Sequence, residues 1–195
     1  MLRKSSGIVA VSIGLLLSLL SIAYISCTKT GMAPKCNGVL CANGGYCDSG
    51  ICKCPSGYEG RTCATASVSK YINTYDVTQT ITGSDSTYEI GSVSKYQMIF
   101  HTSSTPTTFF IDNFAGYPQY NDIVCTLDST NSSLFALDTL HNFHQYYDHY
   151  HMNWGHGYIN NGDSSVVIVC AVWRVNASVN HQTDTMLMQM KPHHF

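Results

Sequence analysis

The chain has 195 residues, enough for one or two small domains and too few for a large catalytic scaffold. Charged residues make up only 11% of it, and the formal net charge is −2, which excludes a basic nucleic-acid binder. Nine cysteines argue against a reduced cytosol, where disulfides are rare. These properties favour an exported protein and do not identify its ligand.

The first 26 residues have the pattern of a secretory signal peptide. Arg3 and Lys4 give a positive start, an apolar run covers residues 8–25, and the small Ser26 precedes Cys27. This junction resembles the lipobox of bacterial lipoproteins, which implies that Cys27 carries the lipid and begins the mature chain. The alternative is an uncleaved membrane helix, because about 18 apolar residues suffice to span a bilayer. Simple secretion after cleavage is a further alternative, and each interpretation places the remainder of the chain outside the cytoplasm. The favoured lipoprotein interpretation predicts a membrane-anchored protein on the periplasmic or the surface face of the outer membrane.

Six cysteines follow the predicted linker, residues 27–35, and lie within 28 residues with the spacing C-x4-C-x5-C-x4-C-x-C-x8-C. A segment this short cannot bury a sufficient core, so it needs covalent cross-links. Zinc sites usually contain C-x2-C pairs, and this segment has none, so a disulfide framework is favoured. Spacing alone leaves many connectivities open. The six are Cys36, Cys41, Cys47, Cys52, Cys54 and Cys63.

The residues between these cysteines are more specific than the spacing. The turn Asn43-Gly44-Gly45 and the line Gly57-Tyr58-x-Gly60 make residues 36–63 resemble an EGF-like domain over its whole length. The resemblance implies a small disulfide-rich module with three defined pairs. These are Cys36–Cys47, Cys41–Cys52 and Cys54–Cys63.

Two functional expectations follow for the module. Calcium binds oxygen ligands, and residues 31–35 before the first cysteine contain no carboxylate, so we expect no calcium site. A lone module of this kind is typically a rigid spacer. The alternative is a protein-binding module, with Tyr46 and Tyr58 as the first contact residues to consider.

Residues 67–195 form the second predicted unit, an all-β domain. β-branched and aromatic runs alternate with Ser, Thr, Asn, Gly and Asp clusters, and no window shows a sustained helical period. Asn161-Gly162 predicts a type I′ hairpin turn, which needs positive φ at both positions. The regular spacing favours an antiparallel barrel or sandwich. The predicted strands are residues 72–79, 87–91, 96–101, 107–112, 123–127, 133–137, 145–152, 157–160, 166–175 and 183–190.

Two short lines in this half carry a further resemblance. They are I-x-N-F-x-G at residues 111–116 and G-x-G-x-I at residues 155–159. With the lipobox and the EGF-like module before them, they resemble a lipocalin-like domain of Bacteroidetes lipoproteins. The resemblance implies a small β-barrel of unassigned function and no catalytic residues.

The two remaining cysteines lie in predicted strands. Cys125 and Cys170 each share a strand face with aliphatic residues two positions away, so both sulfurs are expected in the core. In an oxidising compartment a Cys125–Cys170 disulfide is the favoured interpretation. The alternative is two buried free thiols that pack as small hydrophobic groups.

One cluster contains side chains typical of a metal site. His149 and His151 point to the same face of a predicted strand, and two neutral imidazoles at this spacing can chelate Zn²⁺ or Cu²⁺. A third ligand is needed, with His156 as the candidate. The alternative is a solvent-facing strand whose polar positions are His and Tyr, because two adjacent ligands do not complete a coordination sphere.

No enzyme motif is present, since G-x-S-x-G, H-E-x-x-H and the P-loop pattern are all missing from the sequence. We therefore expect no catalysis. The predicted function is a membrane-anchored, extracytoplasmic lipoprotein that binds a protein or another ligand. The alternative is a carrier of a metal or a small molecule that uses the His-rich strand or a barrel cavity.

Overall fold

The computed structural model describes residues 34–139, 150–176 and 179–194. Its internal contacts define two units. Of the described residues, 34–39 and 47–51 belong to a small unit, and the others belong to a larger unit that contains the barrel. Across these ranges, no helix is both long enough and apolar enough to cross a membrane.

The cysteine-rich segment contains three disulfides. They join Cys36 to Cys47, Cys41 to Cys52 and Cys54 to Cys63, which are the pairs implied by the EGF-like resemblance. The segment starts with the 3-10 helix Pro34–Cys36. The segment contains three short strands, β1 (Tyr46–Asp48), β2 (Ile51–Lys53) and β3 (Tyr58–Glu59). A fourth short strand, β4 (Thr65–Ala66), follows the last cysteine.

The Asn43-Gly44-Gly45 turn has a direct steric role. Asn43 and Gly44 both adopt positive φ, and the Asn43 side-chain amide donates a hydrogen bond to the Cys63 carbonyl at 2.8 Å. A Cβ on Gly45 would lie 2.8 Å from the Cys63 sulfur. Only glycine therefore fits at position 45, beside the Cys54–Cys63 bridge.

The second half is a closed antiparallel barrel of eight strands. Each strand pairs with the next one along the chain, and β12 pairs back with β5, so the topology is an up-and-down meander. Two further 3-10 helices lie at Ser67–Lys70 and Phe114–Gly116. The barrel strands are β5 (Asn73–Ser84), β6 (Val93–Thr102), β7 (Thr108–Asp112), β8 (Ile123–Leu127), β9 (Leu134–Leu137), β10 (Tyr150–Ile159), β11 (Val166–Asn176) and β12 (Val179–Pro192).

Aromatic side chains fill part of the barrel interior. The ring of Phe109 stacks on Tyr71 at 4.9 Å between centroids and meets Phe135 edge-on at 5.1 Å. The Phe100 ring also stacks on Phe109, at 5.5 Å between centroids. The Tyr71 hydroxyl donates to the Ser132 carbonyl at 2.9 Å, so its polar atom is satisfied. This part of the interior is therefore a packed core.

Two of the strand predictions are wrong in detail. Residues 87–91 form no strand; they lie in the loop from β5 to β6, where Gly91 takes a φ of 87° and donates to the Ile81 carbonyl at 2.8 Å. The sequence predicts separate strands at residues 145–152 and 157–160. The structure instead has one continuous strand, β10, over Tyr150–Ile159, with a bulge after Met152. Residues 145–149 of the first of those predicted strands lie outside the described residues.

The hairpin predicted at Asn161-Gly162 is present between β10 and β11, but its turn type is different. The Ser164 amide donates to the Asn160 carbonyl at 2.8 Å, and the positive φ falls on Ser164, at 57°. The loop is longer than two residues because Asn160 also donates to the Ser165 carbonyl at its base. The Asn-Gly pair thus predicts the hairpin correctly and its type I′ geometry wrongly.

The predicted Cys125–Cys170 disulfide is wrong, because both cysteines are free and buried. Strand alternation places both side chains inside, as expected. However, Cys125 lies on β8 and Cys170 on β11, three strands apart around the closed barrel. At about 4.8 Å per strand, that separation exceeds the Cα distance of about 4.4–6.8 Å that a disulfide can bridge.

Packing explains the G-x-G line of β10. Both glycines are buried and face the interior. A Cβ on Gly155 would lie 2.9 Å from the sulfur of Met152, while a Cβ on Gly157 would collide with the Phe135 ring and lie 2.7 Å from the Val167 carbonyl oxygen. The missing side chain at Gly157 makes room for the Phe135 ring, which the aromatic core needs.

We predict that Gly157→Ala lowers the free energy of unfolding by about 1–3 kcal/mol, since the added methyl overpacks a site bounded by a ring and by backbone. Gly83→Ala is the matched control, because its Cβ would meet Thr185 at an ordinary 3.5 Å. Urea denaturation of the two variants measures the difference. An equal stability of the two would contradict the packing role of Gly157.

Candidate binding site at the open end of the barrel

One end of the barrel contains a pocket of about 250 Å³. Because neighbouring strands are antiparallel, the ends of β5 and β11 meet the starts of β6 and β12 at this end. The 3-10 helix Phe114–Gly116, which follows β7, contributes to the same wall. The lining residues are Gln79, Ile81, Glu89, Ser92, Ser94, Phe114, Ala115, Tyr117, Tyr120, Val172, Asp184 and Met186.

A polar network lies in this mouth, around Asp184. This carboxylate is only 4% exposed, and it accepts hydrogen bonds from the Ser84 hydroxyl at 2.6 Å and the Gln182 side-chain amide at 3.1 Å. The same Gln182 amide donates to a Glu89 carboxylate oxygen at 2.9 Å. The Gln182 amide therefore links the Asp184 carboxylate on β12 to the Glu89 carboxylate in the β5–β6 loop.

A second polar contact lies deeper in the mouth. Gln79 is buried, and its side-chain carbonyl accepts a hydrogen bond from the Tyr96 hydroxyl. Burial raises the pKa of Tyr96 far above its usual range, so this hydroxyl stays protonated and remains a donor. The pair gives the mouth a fixed and neutral polar group.

The I-x-N-F-x-G line forms the aromatic wall of the mouth. Asn113 and Gly116 take positive φ values of 56° and 78°, which turn the chain back after β7 and bury Phe114. A Cβ on Gly116 would lie 3.0 Å from the Tyr96 ring, so a larger residue would displace that ring. The motif is thus a structural feature that shapes the pocket.

Exposed apolar side chains border the same end. Tyr88 is 98% exposed and Ile90 is 48% exposed, on either side of the pocket residue Glu89 in the β5–β6 loop. Tyr117 adds a further half-exposed ring and packs against Tyr120 at 5.4 Å between centroids. The mouth therefore combines buried polar groups, apolar walls and an aromatic rim, which is a common composition of small-molecule sites.

A larger and more open groove of about 970 Å³ crosses the outer face of β5, β6, β11 and β12. Its outward side chains carry both signs of charge, including Asp76, Lys95 and Lys191. Polar side chains of mixed charge are typical of a solvated sheet surface. The mouth, where the Asp184 carboxylate is buried, is the better candidate for a binding site.

The two described histidines of the predicted metal site, His151 and His156, do not converge. His149 lies outside the described residues. His151 and His156 lie on β10, where their rings pack against Trp173 at 4.7 Å and Trp154 at 5.4 Å. Their partners on β11 are four residues apart, so the two histidines are about 13 Å apart along the strand and do not bind one ion together.

The other predicted contact residues have different environments. The Tyr46 side chain is 66% exposed. Tyr58 is half-buried in β3, where it pairs with Ala66 of β4. Cys27 and the apolar segment before it lie outside the described residues.

The last loop of the cysteine-rich segment contacts the barrel through a compact polar network. The Lys70 ammonium lies 3.1 Å from a Glu59 carboxylate oxygen and donates to the Ser132 hydroxyl at 2.7 Å. The Ser132 hydroxyl in turn donates to the same Glu59 oxygen at 3.1 Å. Residues 52–63 and the barrel accordingly belong to one compact unit.

The two free thiols are poor nucleophiles. Burial raises the pKa of Cys170 to about 12 and that of Cys125 well above its usual value. At neutral pH both are therefore protonated, whereas thiol chemistry requires the thiolate. These cysteines belong to the packed interior of the barrel.

Sequence reasoning missed the mouth, although a signal was present. Gln79 lies in an alternating strand whose other inward positions are apolar or aromatic, and Asp184 lies in register with three inward methionines. A polar side chain at an inward position near a strand end indicates a barrel opening or a site.

Comparison with known proteins bears on the first half of the chain. Residues 34–63 match a family model described as an EGF-like domain. A search of curated proteins finds no significant match. The EGF-like module with its disulfides, followed by an eight-stranded barrel, fits an interaction or binding protein. A disulfide-rich module of this kind is typical of extracellular or secreted proteins.

Proposed function

We propose that this protein is an exported lipoprotein that is anchored in a membrane through Cys27 and binds a small ligand, without catalysis, at the open end of its barrel. The observation that carries the proposal is the mouth pocket, in which the buried Asp184 and Gln79 face apolar and aromatic walls. Side chains fill other parts of the interior, and this leaves the mouth as the place for a ligand.

The size and composition of the mouth support a small ligand. A pocket of about 250 Å³ is slightly below the range of about 300–1,000 Å³ that is typical of sites for drug-sized molecules. Fixed polar groups such as Asp184 and Gln79 orient a ligand, while Ile81, Val172 and Met186 supply apolar contact. Nucleic acid does not suit a mouth that contains two carboxylates.

Several features support export and anchoring. The three disulfides require an oxidising compartment. The lipobox-like junction at Cys27 precedes the EGF-like module, the order that resembles Bacteroidetes lipoproteins. A diacylated cysteine supplies stable anchoring, because each buried CH₂ contributes about 0.8 kcal/mol. The EGF-like module then acts as a spacer between membrane and barrel.

The absence of catalysis is also part of the proposal. The Asp184 carboxylate accepts hydrogen bonds from the Ser84 hydroxyl and the Gln182 side-chain amide. A serine nucleophile needs a general base that is itself oriented, most often histidine. Among the residues that line the described mouth there is no histidine.

For the anchor, we predict that Cys27→Ser releases the protein from membranes into the soluble extracytoplasmic fraction, because it removes the lipid attachment site. Fractionation of cells and immunoblotting of both fractions measure this. Thr30→Ser is a control that introduces serine outside the junction and leaves Cys27 in place. Tight membrane retention of the Cys27→Ser variant would instead support an uncleaved helix.

For the ligand site, we predict that Ser94→Trp abolishes ligand binding, because Ser94 faces the mouth and an indole would occupy the pocket. Lys95→Trp is the matched control, since the neighbouring side chain lies on the outer groove. Thermal-shift screening of a small-molecule library against the wild-type protein identifies stabilising compounds. Their effect should persist in Lys95→Trp and vanish in Ser94→Trp; persistence in both would contradict binding at the mouth.

A further inference from the structure

We propose that His101, Asp112 and Asp122 form a binding site for a divalent transition-metal ion, with Zn²⁺ as the ion that fits the geometry best. The site is separate from the mouth and from the histidines of β10. One ligand atom from each of the three side chains lies within 4.8 Å of the other two. The three residues come from β6, the end of β7 and the loop before β8.

Sheet geometry brings the first two ligands together. His101 is opposite Phe110 in the β6–β7 register, and Asp112 is opposite Ile99, so His101 and Asp112 are diagonal neighbours. Both point to the outer face, because Phe100 and Ile111, which alternate with them, are buried in the core. The His101 ring packs against Phe110 at 5.3 Å between centroids, which restricts its rotation.

The third ligand is held in place by its own backbone. The Asp122 amide donates to the Asp112 carboxylate at 2.9 Å, which fixes both residues relative to each other. The adjacent Asn121 accepts a hydrogen bond from the Asn113 amide at 3.1 Å and donates one to the Pro118 carbonyl at 2.8 Å. The loop that presents Asp122 is thus tied to the end of β7.

The distances match the edges of a tetrahedral coordination shell. The Nε2 atom of His101 lies 3.2 Å from an Asp112 oxygen, where the two atoms form a hydrogen bond without an ion, and 3.5 Å from an Asp122 oxygen. Two ligand atoms that each lie about 2.0–2.1 Å from a tetrahedral Zn²⁺ are separated by roughly 3.3–3.4 Å. An ion can therefore enter between these atoms with small side-chain movements.

The ligand types favour the same ion class. An imidazole suits Zn²⁺ and its transition-metal neighbours, whereas Ca²⁺ and Mg²⁺ prefer sites made of oxygen alone. Two carboxylates balance the charge of a divalent ion. Three protein ligands leave a fourth position for water, and His101 and Asp112 are half-buried while Asp122 is exposed, so solvent reaches the site.

A second His–Asp pair on the outer surface provides an internal control. His193 Nδ1 lies 2.8 Å from an Asp76 oxygen, a direct hydrogen-bond distance, and the other polar side chain bonded to both is the Gln97 amide. This pair contains one carboxylate and forms part of no three-ligand group among the described residues. It shares the His–Asp chemistry of the proposed site, and a His193→Ala change leaves His101, Asp112 and Asp122 in place.

The test uses full-length protein without a histidine tag, stripped of metal with a chelator and titrated with Zn²⁺ in an isothermal calorimeter. His101→Ala and Asp122→Asn are each expected to remove one equivalent of Zn²⁺ relative to the wild type, or to weaken that equivalent at least tenfold. His193→Ala is expected to retain it. Circular dichroism of the metal-free proteins verifies that the variants are folded, and Asp122→Asn keeps the backbone hydrogen bond to Asp112.

A second measurement uses Co²⁺ in place of Zn²⁺. Tetrahedral coordination gives strong visible absorption, which should appear in the wild type and in His193→Ala and be lost in His101→Ala. The proposal is overturned if the wild type and His101→Ala bind the same number of ions with the same affinity. It is equally overturned if His193→Ala and His101→Ala lose the same equivalent, since the binding would then be nonspecific.

Discussion

The pairing of β12 with β5 is the constraint on which the rest of the structure depends. This ladder runs from Asp184 opposite Ser84 to Pro192 opposite Tyr75 and joins the first and last strands of the barrel. Closure leaves no free sheet edge in the barrel, and a free edge would be a template for aggregation. It also brings Ser84 and Asp184, 100 residues apart in the sequence, within hydrogen-bond distance at the mouth.

Closure and core packing together determine where a ligand can bind. The stacked rings of Tyr71, Phe109 and Phe100 occupy the interior, and Gly157 gives the Phe135 ring the space it needs beside them. Towards the opposite end the inward positions include the polar Gln79 and Asp184, and the mouth pocket lies there. The proposed small-ligand site at the mouth is thus a consequence of where the aromatic core ends.

Local patterns in the sequence predict which face of a strand a side chain occupies and where a hairpin turns. They do not predict which side chains meet across the barrel, because this depends on strand order and register. Alternation places Cys125 and Cys170 inside correctly, but it cannot tell that β8 and β11 lie three strands apart. Residues 87–91 have strand-like composition because their apolar side chains border the mouth. The ligands His101, Asp112 and Asp122 come from three segments, so only the β6–β7 register and the following loop bring them together.

Native-state hydrogen exchange of individual amides tests the role of closure most directly. If the β5–β12 ladder holds the barrel together, the amides of Val77 and Met188 exchange only through global unfolding, with the same free energy as those of β7 and β8. The contradictory result is fast exchange of the β12 amides by local opening while β6, β7 and β8 stay protected. In that case the barrel would be stable without its last strand, and the mouth would not depend on closure.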